Sequence, residues 1–272
     1  IGVITEVTVQ CVDAFRLEQR TEIRDRQWAE DNLDRLLADH DHVSFYAYPF
    51  TDLLHVHTWD RTTEPLSPMG DRREAASEAK AAVTAAVIGD ASAHWGLLPR
   101  TATLAMKLQK GSSLVLDSHR AFSRTQYHLH QELEVAVPRA KVWDDLDHTL
   151  ELYRHRYRSE RLPFLLVEVR FSPAGHDTVL GAGAQQDSAW LCLCCNQSGN
   201  VGDYFDDVED WVRRADARIH LGKWCEILDE SDIALMHGER FERFQMVRSA
   251  TDPDGTFVNP FTRRVLGPVR AC

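Results

Sequence analysis

The chain has 272 residues, 43% of them hydrophobic and 27% charged, enough for one large domain or two small ones around a substantial core. Its 31 Lys and Arg stand against 42 Asp and Glu, a formal net charge of −11, which argues against phosphate-backbone binding because that needs clustered cations. With 14 Gly, 10 Pro and no long biased tract, collagen-like and largely disordered chains are excluded, and no run approaches the roughly 20 apolar residues of a membrane helix.

In chain order, IGVITEVTVQCV comes first. Val3, Thr5, Val7, Val9 and Cys11 alternate with Ile4, Glu6, Thr8 and Gln10, a period of two that predicts a half-buried strand over 1–12. The start at Ile1 carries no signal-peptide pattern and reads as a cut. A charged helix is expected over about 22–39 on the spacing of Trp28, Leu33, Leu36 and Leu37. Strands over 43–50 and 53–59 with Pro49 and Asp52 at the join predict a hairpin. Residues 60–71 read as a loop, 72–88 as an Ala-rich helix, and 89–125 as mixed helix and loop with His94–Trp95–Gly96 in a packing role.

ELEVAV at 132–137 alternates and Pro138 ends it. A helix over 140–158 carries Val142, Leu146, Leu150 and Tyr153 on one stripe, and strands follow at 164–171 and 189–195. Helices are expected at 203–214 (Tyr204, Phe205, Val208, Trp211, Val212) and near 238–248 (Phe241, Phe244, Val247), before a turn-rich tail. Hairpins mixed with helices, without regular βαβ units, predict an α+β fold with a mostly antiparallel sheet covered by helices.

Two segments and three histidine pairs offer chemistry. In FLLVEVRF, Leu165, Val167, Val169 and Phe171 share one strand face, so Glu168 and Arg170 share the other. Such a pair either orients a ligand through the planar guanidinium or forms a solvent-facing salt bridge. In ARIHLGKWCEI, His220 and Lys223 flank Gly222; the lysine would stabilise developing negative charge, or the glycine would cap a helix with a lysine nearby. The pairs His40/His42, His55/His57 and His128/His130 have i, i+2 spacing, but no third ligand follows from spacing and no metal site is assigned.

The run Cys192, Cys194, Cys195 suits neither a disulfide framework nor a zinc knuckle and reads as buried thiols on a core strand. Free cysteines fit a reducing, cytoplasmic compartment. The sequence contains no G-x-G-x-x-G, no G-x-x-x-x-G-K-[ST], no G-x-S-x-G and no H-E-x-x-H.

Several segments together resemble the aldonolactone oxidoreductases, flavoproteins of the vanillyl-alcohol-oxidase type that include D-arabinono-1,4-lactone oxidase, L-gulonolactone oxidase and alditol oxidase. IGVITEVTVQCVDAFRL resembles the last strand of that family's FAD-binding domain, and VEVRF its E-x-R strand. RIHLGK is similar to its R-P-H-W-G-K motif, with Ile219 and Leu221 in place of Pro and Trp. QELEVAVP, with Glu132 and Glu134, looks like a family strand, and DPDGTFVNPFTRRVLG like the family's C-terminus.

The resemblance implies a last FAD-domain strand at 1–17, a substrate (cap) domain at 18–235 and a C-terminal return segment at 236–272. It implies FAD as cofactor, requiring an N-terminal half outside this sequence, and a sugar lactone or polyol as substrate. Glu168, Arg170 and Lys223 would be catalytic; His220, Lys223 and Asn259 would contact the cofactor. Family members often carry a His on the strand matching 189–195, where this chain has Cys194, Cys195 and Asn196. The expected activity is FAD-dependent sugar-lactone oxidation, silent in the isolated chain; the alternative is a non-catalytic binding or assembly module that has lost its flavin site.

Overall fold

The computed structural model describes residues 2–84, 89–122, 129–175, 178–183, 185–197 and 199–269. Among these, eight strands form one antiparallel sheet: β1 (Arg16–Asp25), β2 (His42–Ala47), β3 (Leu53–Thr62), β4 (Ser112–Asp117), β5 (His130–Pro138), β6 (Leu165–Ser172), β7 (Ser188–Asn196) and β8 (Arg218–Ile219). Their spatial order is β4-β1-β3-β2-β6-β7-β5-β8. The fold is α+β with an antiparallel sheet and covering helices, as the strand and helix patterns predict.

Because strand side chains alternate, the register separates two chemistries. Phe45 pairs with Val169, Val169 with Leu191, and Leu191 with Val135, giving a continuous apolar face. Onto it pack α1 (Arg26–Asp39) through Ala29, Leu33 and Leu36, and α6 (Val142–Glu160) through Leu146, Leu150, Tyr153 and Tyr157. Helix α7 (Gly202–Val212) adds Tyr204, Phe205, Val208 and Val212. The Asp25 carboxylate caps α1 by accepting from Trp28 N at 2.8 Å, which is why the helix starts at Arg26. Tyr153 donates its hydroxyl to Pro163 O at 2.6 Å, so a phenol with no exposed surface in the core is satisfied.

Opposite lies a polar face. At its β1–β3–β4 end it is covered by α2 (Gly70–Val83), where Gln19 Nε2 donates to Glu74 Oε1 and Trp59 Nε1 to Gln19 Oε1. Short helices α3 (Asp90–His94), α4 (Leu98–Lys107) and α5 (Ser118–Ala121) occupy the stretch expected to be mixed, which also hides β4. Helices α8 (Glu230–His237), α9 (Glu239–Thr251) and α10 (Pro260–Leu266) follow β8, so the tail is more helical than its turn residues predict. Among the described residues no helix is long and apolar enough to cross a membrane.

Some expectations need correction. Residues 2–14 form no strand and are exposed, with Val3, Ile4, Val7 and Val9 each at least 71% accessible, because no strand lies alongside to complete their hydrogen bonds. The hairpin of β2 and β3 forms, yet β3 continues to Thr62, where Arg16 of β1 pairs with it. In α9, Val247 faces solvent while Gln245 and Arg248 are buried, because both donate to Leu266 O at the end of α10. Trp95 is exposed, not packed. His128 lies outside the described residues.

Candidate active site

The polar face becomes chemically dense where β5, β6 and β7 run side by side. Cys192 stands opposite Glu134 on one side and Glu168 on the other; Cys194 stands opposite Glu132 and Leu166; Trp190 stands opposite Arg170 and Ala136. Beyond β6, Tyr46 of β2 pairs with Glu168 and with His55 of β3, extending the polar row across the sheet.

Lys223 reaches this row from the turn after β8. His220 N donates to Glu134 O and Trp224 N to Glu132 O, both at 2.9 Å, so the turn is stitched to β5 at two alternate residues. Gly222 lies within it, where an added Cβ would meet His220 Cε1 at 2.9 Å. Gly222 N donates to His220 Nδ1 at 3.0 Å, so the glycine tightens a turn and caps no helix. Behind the turn, buried Glu209 of α7 accepts from the backbone N–H of Glu226, Ile227 and Leu228 at 2.8, 3.0 and 3.1 Å.

The result is an alternating charge lattice. Lys223 Nζ lies 2.6 Å from Glu132 Oε2, 3.4 Å from Glu134 Oε2 and 3.2 Å from Cys192 Sγ. Arg170 Nη2 donates to Glu134 Oε1, and His130 Nε2 lies 2.6 Å from Glu132 Oε1. Glu134 is only 3% exposed whereas Arg170 is 47% exposed, so a buried carboxylate anchors a guanidinium that still faces outward. Burial is the largest single influence on the Lys223 ammonium and works against its charge, but Glu132, Cys192 and Glu134 together outweigh it, so its pKa sits above the ordinary lysine value. For Glu132 burial raises the carboxyl, yet Lys223 and His130 hold it below the usual range. Burial opposes the Arg170 charge too, and Glu168 and Glu134 override it. The hydrogen bond with Cys192 and then burial push the Cys194 thiol well up.

Of the residues expected from sequence, Glu168, Arg170 and Lys223 lie on or beside one face of three adjacent strands. His220 is exposed at the turn, its ring 6.3 Å from Trp190. Asn259 is the N-cap of α10, accepting from Thr262 N at 2.8 Å, and among the described residues its side chain makes no hydrogen bond to the charge lattice. Its helix is tied to the Lys223 turn through Arg264, which donates to Cys225 O and Leu228 O. The cysteine run divides by alternation: Cys195 enters the apolar core, while Cys192 and Cys194 face the carboxylates. Thus two of the three thiols belong to the site. Glu209 gave no sequence signal, since a glutamate in an amphipathic helix reads as solvent-facing.

The sequence pattern that defines the D-arabinono-1,4-lactone oxidase family matches residues 7–265. The chain belongs to that family. It is 28% identical over 273 residues to L-gulono-1,4-lactone dehydrogenase of Mycobacterium tuberculosis, covering 98% of this chain and 61% of that protein. It is 25% identical over 299 residues to L-gulonolactone oxidase of Bos taurus, covering 98% and 60%. The chain therefore spans about three-fifths of the length of these relatives. In fold it is similar to cholesterol oxidase from B. sterolicum (TM-score 0.62, 14% identity, 93% of this chain and 60% of that one). A solvent-stable cholesterol oxidase matches with TM-score 0.55 at 14% identity, over 94% and 60%.

Proposed function

We propose that this chain is the substrate-domain portion of an FAD-dependent oxidoreductase that oxidises a hydroxyl of a sugar lactone or polyol. The observation that carries this reading is the pairing of Arg170 with buried Glu134 and of Lys223 with Glu132, which fixes two cations beside Glu168 on one sheet face. The donor set fits a flavin: an outward-facing guanidinium and an ammonium held charged are what an electron-rich pyrimidine ring calls for. When bound, FAD supplies the hydride acceptor. Lys223 would supply positive charge to offset the negative charge of a reduced ring, and its carboxylate partners keep it in place. Arg170 offers planar donors to a substrate oxygen, and Glu168, next but one on β6, accepts a hydrogen bond from the substrate hydroxyl.

In this reading 1–17 joins the FAD-binding half, 18–235 forms the substrate domain, and 236–272 returns toward the FAD-binding half. The isolated chain is then inactive, and the location is cytoplasmic. Family membership and the two gulonolactone-acting relatives support the substrate class.

Two measurements test it. The full natural gene product should show flavin absorption bleached by a sugar lactone or polyol; a colourless full-length protein would leave the non-catalytic alternative standing. In that holoenzyme Lys223→Ala should slow flavin reduction by about 100-fold while changing ligand affinity far less. Unchanged reduction kinetics would remove Lys223 from the site.

A further inference from the structure

We propose that Cys192, Cys194 and Glu132 form a binding site for a soft divalent cation, zinc or cadmium, taken up in competition with the Lys223 ammonium. The three donors come from neighbouring strands, β7 and β5, and their ligand atoms all lie within 4.8 Å of one another. Cys192 Sγ is 3.6 Å from Cys194 Sγ, and Cys194 Sγ is 3.6 Å from Glu132 Oε1. Tetrahedral zinc with Zn–S of about 2.3 Å and Zn–O of about 2.0–2.2 Å has ligand–ligand edges of roughly 3.4–3.8 Å. Two edges of the triangle are therefore already in place, and the third is no longer than 4.8 Å.

The surroundings favour such an ion. Thiolates select soft cations over magnesium or calcium. His130 Nε2, 2.6 Å from Glu132 Oε1, orients the carboxylate as an outer-shell partner would. The same groups already hold a positive charge, since Lys223 Nζ lies 2.6 Å from Glu132 and 3.2 Å from Cys192. A monovalent ammonium faces one carboxylate and two thiols; a divalent ion faces one carboxylate and two thiolates. Each ion bound takes the place of whatever protons its ligands carry, releasing them to solvent and transferring no electrons, so affinity rises with pH. Uptake strips Lys223 of its Glu132 partner. That uptake also inhibits turnover rests on the function proposed above; the site itself does not.

The test is a cadmium titration of the reduced, metal-free protein, followed by ultraviolet thiolate-to-cadmium absorption and by proton release. One ion per chain is expected, with net release of protons. Cys192→Ser and Cys194→Ser should each weaken binding more than about 100-fold, beyond the loss typical of an outer-shell change, and His130→Ala about tenfold. Cys11→Ser should change nothing, and Lys223→Ala should tighten binding by removing the competitor. Glu132→Gln, at a half-buried position on a strand, gives a second ligand variant if a buried serine disturbs folding, which circular dichroism monitors. Saturable absorption that survives Cys194→Ser, its absence from the unmodified protein, or weaker binding in Lys223→Ala would each overturn the proposal. Because the readout is spectroscopic, these outcomes are independent of any lactone or polyol oxidation.

Discussion

Glu134 illustrates how one side chain ties stability to chemistry. Its carboxylate is buried, and it answers both Arg170 and Lys223. Removing it leaves two cations facing each other across a partly dry surface, a larger loss than deleting an exposed ion pair. Because Arg170 can turn toward water, Glu134→Ala should cost about 3 kcal/mol, the lower end for a broken buried pair, read from urea denaturation. A loss below about 1 kcal/mol would show that the pair behaves as a surface one. Two buried histidines bear on the acid stability of the fold. Burial lowers His55 to about 4, and burial with Arg218 and Arg240 nearby lowers His237 to about 4. Both folded values lie below the ordinary histidine value, so the unfolded chain takes up more protons in the interval between. Stability should be full above about pH 6.5 and fall as pH drops toward 4, by about 3 kcal/mol for each histidine. Urea midpoints at pH 7 and pH 5 should differ, and the double variant His55→Gln, His237→Gln should flatten that slope. An unchanged slope would assign the acid loss to other groups.

Among the elements, α7 has the most specific influence on the site. Through Glu209 it satisfies three consecutive backbone donors of the segment that follows Lys223, so a buried helix side chain positions a turn whose lysine it does not touch. Glu209→Ala should lose about 3 kcal/mol for the stranded amides, and amide exchange at Glu226, Ile227 and Leu228 should accelerate ahead of the sheet. Protection unchanged at those amides would mean the turn holds itself. Strand β6 is legible from sequence because FLLVEVRF alternates, and a period of two alone places Glu168 and Arg170 together. The stripe of α6 is equally legible, since its period matches 3.6. Lys223 beside Glu132 is not, because residues far apart in the chain meet only through the β5–β8 register and the turn stitched to it. Strand β4 begins with Ser112 and Ser113, and such polar pairs carry no alternation to detect. The three thiols read as core because a run of cysteines looks uniformly apolar until alternation sends Cys195 one way and its neighbours the other.

At the scale of the molecule, one sheet separates two environments. Its apolar face is sealed by α1, α6 and α7 and supplies the stability; its polar face holds the charged groups at fixed spacing. Strand substitutions on one face should leave the other's properties largely intact, since alternate residues of a strand share backbone and point to opposite sides of the sheet. Residues 2–14 stand apart from both. They are rich in valine, isoleucine and threonine in a period of two, carry few charges, and expose their apolar side chains. Such a segment is a template for intermolecular strand addition. Removing 2–13 should leave the melting temperature of the sheet within about a degree, since substitution away from packed groups changes little. It should also lengthen the time before concentrated solutions scatter light or bind an amyloid-reporting dye. An unaltered lag would acquit the segment. For anyone preparing this chain by itself, colloidal behaviour is then governed by those first dozen residues, while its folding stability is governed by everything after them.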